Sequence, residues 1–157
     1  MSLQVIIKAF RDAEAASVVI KNFNYGKAWD FNGVPSREYP AILVDSQPDW
    51  SVKRQGSNGL PSIKEYTFKT FIYDEYWRGE QTANNNELEI KQDEVESLFD
   101  DFLSLVSASL LSKGYQVYTQ GKEGFHGLFT TQGDGRHNSS LITVFQKLRI
   151  VAPANCP

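Results

Sequence analysis

An α+β domain, with an antiparallel or mixed sheet carrying two helices on one face and long loops between elements, is predicted by three features of this chain. Ile63–Trp77 alternates from residue to residue over an unusually long run, the signature of a strand. Asp93–Lys113 carries a broad apolar stripe at helical spacing. Leu141–Val151 alternates again, with Ile142, Val144, Leu148 and Ile150 inward and Thr143, Phe145, Lys147 and Arg149 outward. The 157 residues suit one domain over 1–157, with 41% hydrophobic and 22% charged residues, an ordinary globular balance.

In chain order, Leu3, Ile6, Ile7, Phe10, Ala13 and Val18 recur at three- and four-residue steps, which predicts a first helix from Leu3 to about Lys21. The β-branched run Val18-Val19-Ile20 works against its last turn. Residues 23–38 read as an irregular segment holding Phe23, Tyr25, Trp29 and Phe31. Such aromatics either fold back over the core or form a contact surface for another subunit. Tyr39–Val44 reads as a buried strand, and Asp45–Ser62 as a long polar loop carrying Trp50, Lys53 and Arg54, either a hairpin or a partner-binding arm.

On the long strand, Tyr66, Phe68 and Ile72 share one face; Glu65, Thr67, Lys69, Phe71 and Tyr73 share the other, whose far end a loop or a neighbour would cover. Arg78–Gln92 is a polar connection with the run Asn84-Asn85-Asn86. Asp93 and Glu96 form a capping-box pattern that predicts a helix from about Glu94 to Lys113, with Val95, Leu98, Phe99, Phe102, Leu103, Val106 and Leu110 inward and Gly114 as its stop. Tyr115–Gln120 and Phe125–Thr131 read as two short strands joined by a turn at Gly121–Gly124, and Asp134-Gly135 marks another turn.

Chemistry is poorly represented. The pairs Asp74-Glu75 and Asp100-Asp101 diverge on a strand and on a helix respectively, so both read as solvated surface groups. His126, His137 and Asp134 match no metal spacing, the glycines at 121–127 and 133–135 do not open a helix after a strand, and no serine sits in a nucleophile elbow. Neither enzyme activity nor a cofactor is expected. Cys156 is the one cysteine, which leaves no intrachain disulfide. Met1–Phe10 lacks a signal-like apolar run and no window suits a membrane span, so assembly in the cytosol is expected and membrane association is not.

Net charge is −3, with no basic footprint for nucleic acid. The acidity is concentrated: Asp74 to Asp101 holds ten acidic and two basic residues. Part of that suits a helix N-terminus, and the rest predicts a negative surface past which DNA slides without sticking. The residues placed on it are Asp74, Glu75, Glu80, Glu87 and Glu89.

The succession of Leu3–Lys21, the strand Tyr39-Pro40-Ala41-Ile42-Leu43-Val44, a long loop, the long strand Ile63–Trp77, the helix Asp93–Lys113 and the last strand Leu141–Val151 resembles the tail-terminator and tail-completion proteins of tailed bacteriophages and the related neck proteins. The likeness covers most of the chain and lies in the order of elements, with no invariant motif. It implies a structural virion protein, assembled in the host cytoplasm, that forms a ring of roughly six or twelve copies between head and tail. Its loops would grasp neighbouring connector and tail proteins, and DNA would pass through the lumen without sequence-specific binding. Phe23, Tyr25, Trp29, Phe31, Trp50, Lys53 and Arg54 are then the expected interface residues. The aromatic segment at 23–38 and the long loop at 45–62 depart from the family pattern and leave ring size and axial level open. The competing readings are a small-molecule-binding or enzymatic α+β domain, with a pocket between the second helix and the loop aromatics, and a cellular protein-interaction module.

Overall fold

The computed structural model describes residues 2–27, 38–54, 62–77, 87–123, 128–130 and 139–152. In order these form α1 (Ser2–Ala16), β1 (Asn22–Gly26), β2 (Ala41–Asp45), β3 (Asp49–Arg54), β4 (Ser62–Trp77), α2 (Glu87–Leu111), β5 (Gln116–Glu123), β6 (Leu128–Thr130) and β7 (Ser139–Ala152). The class is α+β: a mixed sheet with two helices that pack against each other and against the sheet.

The sheet is built on β4 and β7, which pair antiparallel from Lys64↔Ala152 to Trp77↔Ser139. Each of these long strands offers its other edge to two shorter partners placed end to end. β2 takes the Thr70–Tyr73 stretch of β4 and β3 takes Ser62–Thr67, while β5 and β6 follow one another along β7. β1 closes the β2 side as the parallel strand, with Phe23 opposite Ile42 and Tyr25 opposite Val44.

The two helices cover one face. Ile6, Ala9, Phe10 and Ala13 of α1, at helical spacing, are buried against Ile42, Phe68 and Ile72 of the sheet and against Val95, Phe99, Phe102 and Val106 of α2. At the centre the Phe10 ring meets Phe68 edge-on at 5.8 Å and stacks on Phe102 at 6.2 Å and on Phe23 at 6.4 Å. The opposite face of the sheet holds a smaller apolar cluster, in which Ala41 and Leu43 pack with Tyr39, Phe71 and Tyr73. Phe145 joins it, its ring 4.9 Å from that of Phe71. Alternation along β4 therefore serves two apolar clusters, as the bulky residues on both of its faces require.

Four boundaries differ from the sequence reading. α1 stops at Ala16, short of Lys21, and Val18 is 89% exposed. The Ser17 hydroxyl accepts the N–H groups of Val19 and Ile20 at 3.4 and 3.2 Å, a local bond that competes with another helical turn ahead of a β-branched run. The start of the expected irregular segment is strand β1, because the free edge of β2 supplies hydrogen-bond partners from a distant part of the sequence. α2 begins at Glu87, so Asp93 and Glu96 lie inside the helix and do not cap it. Residues 87–92 are mostly strong helix formers and simply continue the helix upstream. Finally, Gly121 is not a hairpin turn. It sits at a register shift between Gln120 and Lys122, and β5 runs on to Glu123 along β7.

The end of α2 follows expectation. Gly114 has φ 82°, its N–H donates to the Leu111 carbonyl at 3.0 Å, and the Tyr115 N–H donates to the Leu110 carbonyl at 3.0 Å. This is a Schellman closure, and it turns the Tyr115 ring into the core beside Leu110. A side chain at Gly114 would carry a left-handed backbone penalty of about 1–2 kcal/mol. Gly114→Ala is expected to lower the urea midpoint by that amount of stability without changing the slope of the transition.

Candidate interaction surface

β3 and the first half of β4 form a hairpin whose register runs from Asp49↔Thr67 to Arg54↔Ser62. Residues directly opposite in an antiparallel pair share a face, so Trp50, opposite Tyr66, and Val52, opposite Lys64, stand on the helix-bearing side of the sheet. They are nonetheless 69% and 40% exposed, because the helical layer stops short of them. Tyr66 is the last β4 side chain on that face packed against the core, and Lys64 beyond it is exposed. Lys53 and Arg54 end β3. The segment expected as a loop or an arm is thus, in its described part, the edge strand β3, an arm lying along a stretch of β4 that β7 pairs on its other side, with Trp50 and Val52 exposed on it.

The other predicted contact aromatics separate. Phe23 and Tyr25 are half-buried and pack against the main core, so the fold itself uses them. Trp29 and Phe31 lie outside the described residues. The Tyr25 hydroxyl donates to the Ser46 carbonyl at 3.3 Å, and burial, with the Asp45 carboxylate adding to it, raises its pKa above the usual tyrosine value of 10.0. A raised pKa favours the neutral phenol in the fold, so this contribution to stability is complete below pH 10 and is lost as pH rises through the folded value. Tyr25→Phe is expected to flatten that part of the alkaline limb in thermal unfolding followed from pH 8 upward.

The predicted acidic surface is only partly one. Asp74 is a correction: it is 9% exposed, faces the helices and is bonded by the Lys91 ammonium at 2.7 Å. Glu75 lies in β4, Glu87 begins α2, Glu89 is exposed on α2, and Glu80 is outside the described residues. The bond from Lys91 ties the first turns of α2 to the far end of β4, which lets the helix start early. Because Lys91 keeps some contact with water, Lys91→Ala is expected to cost about 1–3 kcal/mol, less than a fully buried pair. Asp74→Asn in the Lys91→Ala background should recover part of that loss, read as a non-additive cycle in chemical denaturation.

The exposed acidity lies instead on the outer face of α2. Ile90, Asp93, Glu94, Ser97, Leu98 and Asp101 line a shallow groove there, at the i, i+3, i+4, i+7 spacing that puts side chains on one helix face. Ile90 is 54% exposed, while Leu98 is partly buried against the core. On the helix-free face of the sheet, Lys69 stands opposite Lys147, and the Arg149 guanidinium lies 4.6 Å above the Tyr118 ring and 4.0 Å from Glu65.

Among the described residues no three His, Cys, Asp or Glu side chains gather as a metal site. His126, Asp134 and His137 lie outside them. No described helix is long and apolar enough to cross a membrane. The fold and its surfaces define an α+β domain with an exposed aromatic residue on its edge strand β3. Neither protein-family models nor curated proteins match the chain.

Proposed function

We propose that this chain is a non-enzymatic structural subunit that assembles into a closed ring in the head-tail connector or neck of a tailed bacteriophage, as a tail terminator or tail adaptor. The observation that carries the reading is the edge strand β3, on which Trp50 is 69% exposed although its cross-strand neighbour Tyr66 packs against the core. A large apolar side chain on a regular strand, outside its own core, suits contact with another protein. The resemblance in the order of elements supplies the kind of assembly. DNA would pass through the lumen, assembly would take place in the host cytoplasm, and neighbouring connector and tail proteins would bind above and below.

A ring needs a heterologous interface whose rotation closes. Native mass measurement and electron microscopy of the purified full chain at high concentration should therefore show a single closed species with rotational symmetry. Antibody label on virus particles should fall at one level between capsid and tail. A chain that stays monomeric at high concentration and in particle preparations would overturn the reading.

A further inference from the structure

We infer that the arm of one copy docks on the outer face of α2 of a second copy, with Trp50 seated between Ile90 and Leu98. The inference rests on the ring reading and names the two surfaces that would make its interface. Chemistry is the first support. The arm presents exposed Trp50 and Val52 with exposed Lys64 in register beside them. The groove offers an apolar floor of Ile90 and Leu98 rimmed by the exposed carboxylates of Asp93, Glu94 and Asp101. Lys91, the described cation nearest that rim in sequence, is held by Asp74 at 2.7 Å and reaches Glu94 only at 4.0 Å, so the rim stays negative. An aromatic knob with a lysine beside it and an apolar groove flanked by carboxylates are complementary in shape class and in sign.

Placement is the second support. Trp50 is in register with Tyr66, whereas Lys91 anchors the groove's end of α2 to Asp74. β3 is fixed along β4 by six paired residues, and neither Trp50 nor Val52 is among the residues that line the groove. The arm therefore cannot fold back into its own groove, and the two surfaces meet only between copies. Donor and acceptor being different patches of the molecule, the contact is head to tail, the geometry that propagates around a ring. Ser97, small and exposed between Ile90 and Asp101 on the same helix face, leaves room for an indole ring.

The test uses the full chain in sedimentation velocity, with unfolding midpoints as a control on folding. Two groove variants are made at exposed positions, Asp93→Lys with Asp101→Lys to reverse the rim and Ser97→Trp to fill the groove; Trp50→Ala disables the arm. Each is expected to weaken self-association by about tenfold or more while remaining folded. Mixing Trp50→Ala with the rim-reversed variant leaves one intact arm and one intact groove, so the mixture should stop at a one-to-one dimer. If the wild-type chain assembles and both groove variants assemble equally well, this inference fails and the ring reading stands. If the wild-type chain does not assemble at all, both fail.

Discussion

Phe10→Ala is expected to lower the stability of the folded chain by about 3–5 kcal/mol, the range for deleting a fully buried aromatic ring. Phe10 is fully buried, and its ring meets Phe23 of β1, Phe68 of β4 and Phe102 of α2. Four elements therefore share one side chain, and their backbones cannot all move in to fill the space. The loss is a large part of the roughly 5–15 kcal/mol that holds a typical domain together, and at this chain length it corresponds to a fall in melting temperature on the order of 10 °C. Phe10→Leu keeps most of the volume and should cost about 1.5 kcal/mol or less. Equilibrium denaturation of both variants checks the argument: equal losses would show that Phe10 does not tie the layers together.

Trp50→Ala should give the opposite pattern, with assembly affected and the monomer hardly at all. An exposed strand residue contributes about 1 kcal/mol or less through its cross-strand neighbour. A tryptophan that becomes buried at an interface typically carries about 2 kcal/mol or more, a thirtyfold change in a single contact, and a ring makes that contact once per copy. The unfolding midpoint of dilute protein should thus stay close to wild type while the concentration needed for assembly rises steeply. A variant that loses its midpoint at every concentration would place Trp50 in the fold and remove it from the interface.

The residues that carry these two predictions were not equally legible. Phe10 lies on a stripe with helical spacing, so its burial follows from pattern alone, although its ring contacts depend on β1. Trp50 was expected on a loop. Its strand exists because β2 pairs only Thr70–Tyr73 of β4 and leaves the edge at Ser62–Thr67 open to a partner. β1 is comparable, and in retrospect Asn22-Phe23-Asn24-Tyr25 alternates polar and aromatic residues, a short signal that the asparagines and Gly26 disguise as turn chemistry. The groove on α2 is not legible for a different reason: a helix starting at Glu94 cuts off Ile90 and Asp93, a third of the outward stripe. Asp74 was misplaced because alternation tells which residues share a face but not which face a cation on another element will approach.

The α+β class, the long strand from 63 to 77, the inward stripe of α2 with its glycine stop, and the inward face of β7 are determined by the sequence itself. Periodicity and capping are local: a helix makes its hydrogen bonds within four residues, and a strand's alternation states which side must be buried whatever buries it. Tertiary structure alone decided where edges are paired and where charge is hidden. β1 on β2, β3 on β4, β6 continuing β5, and Lys91 on Asp74 all depend on partners distant in sequence. The backbone groups and the carboxylate involved must be satisfied once they leave water, and which partner satisfies them is settled only when the layers meet.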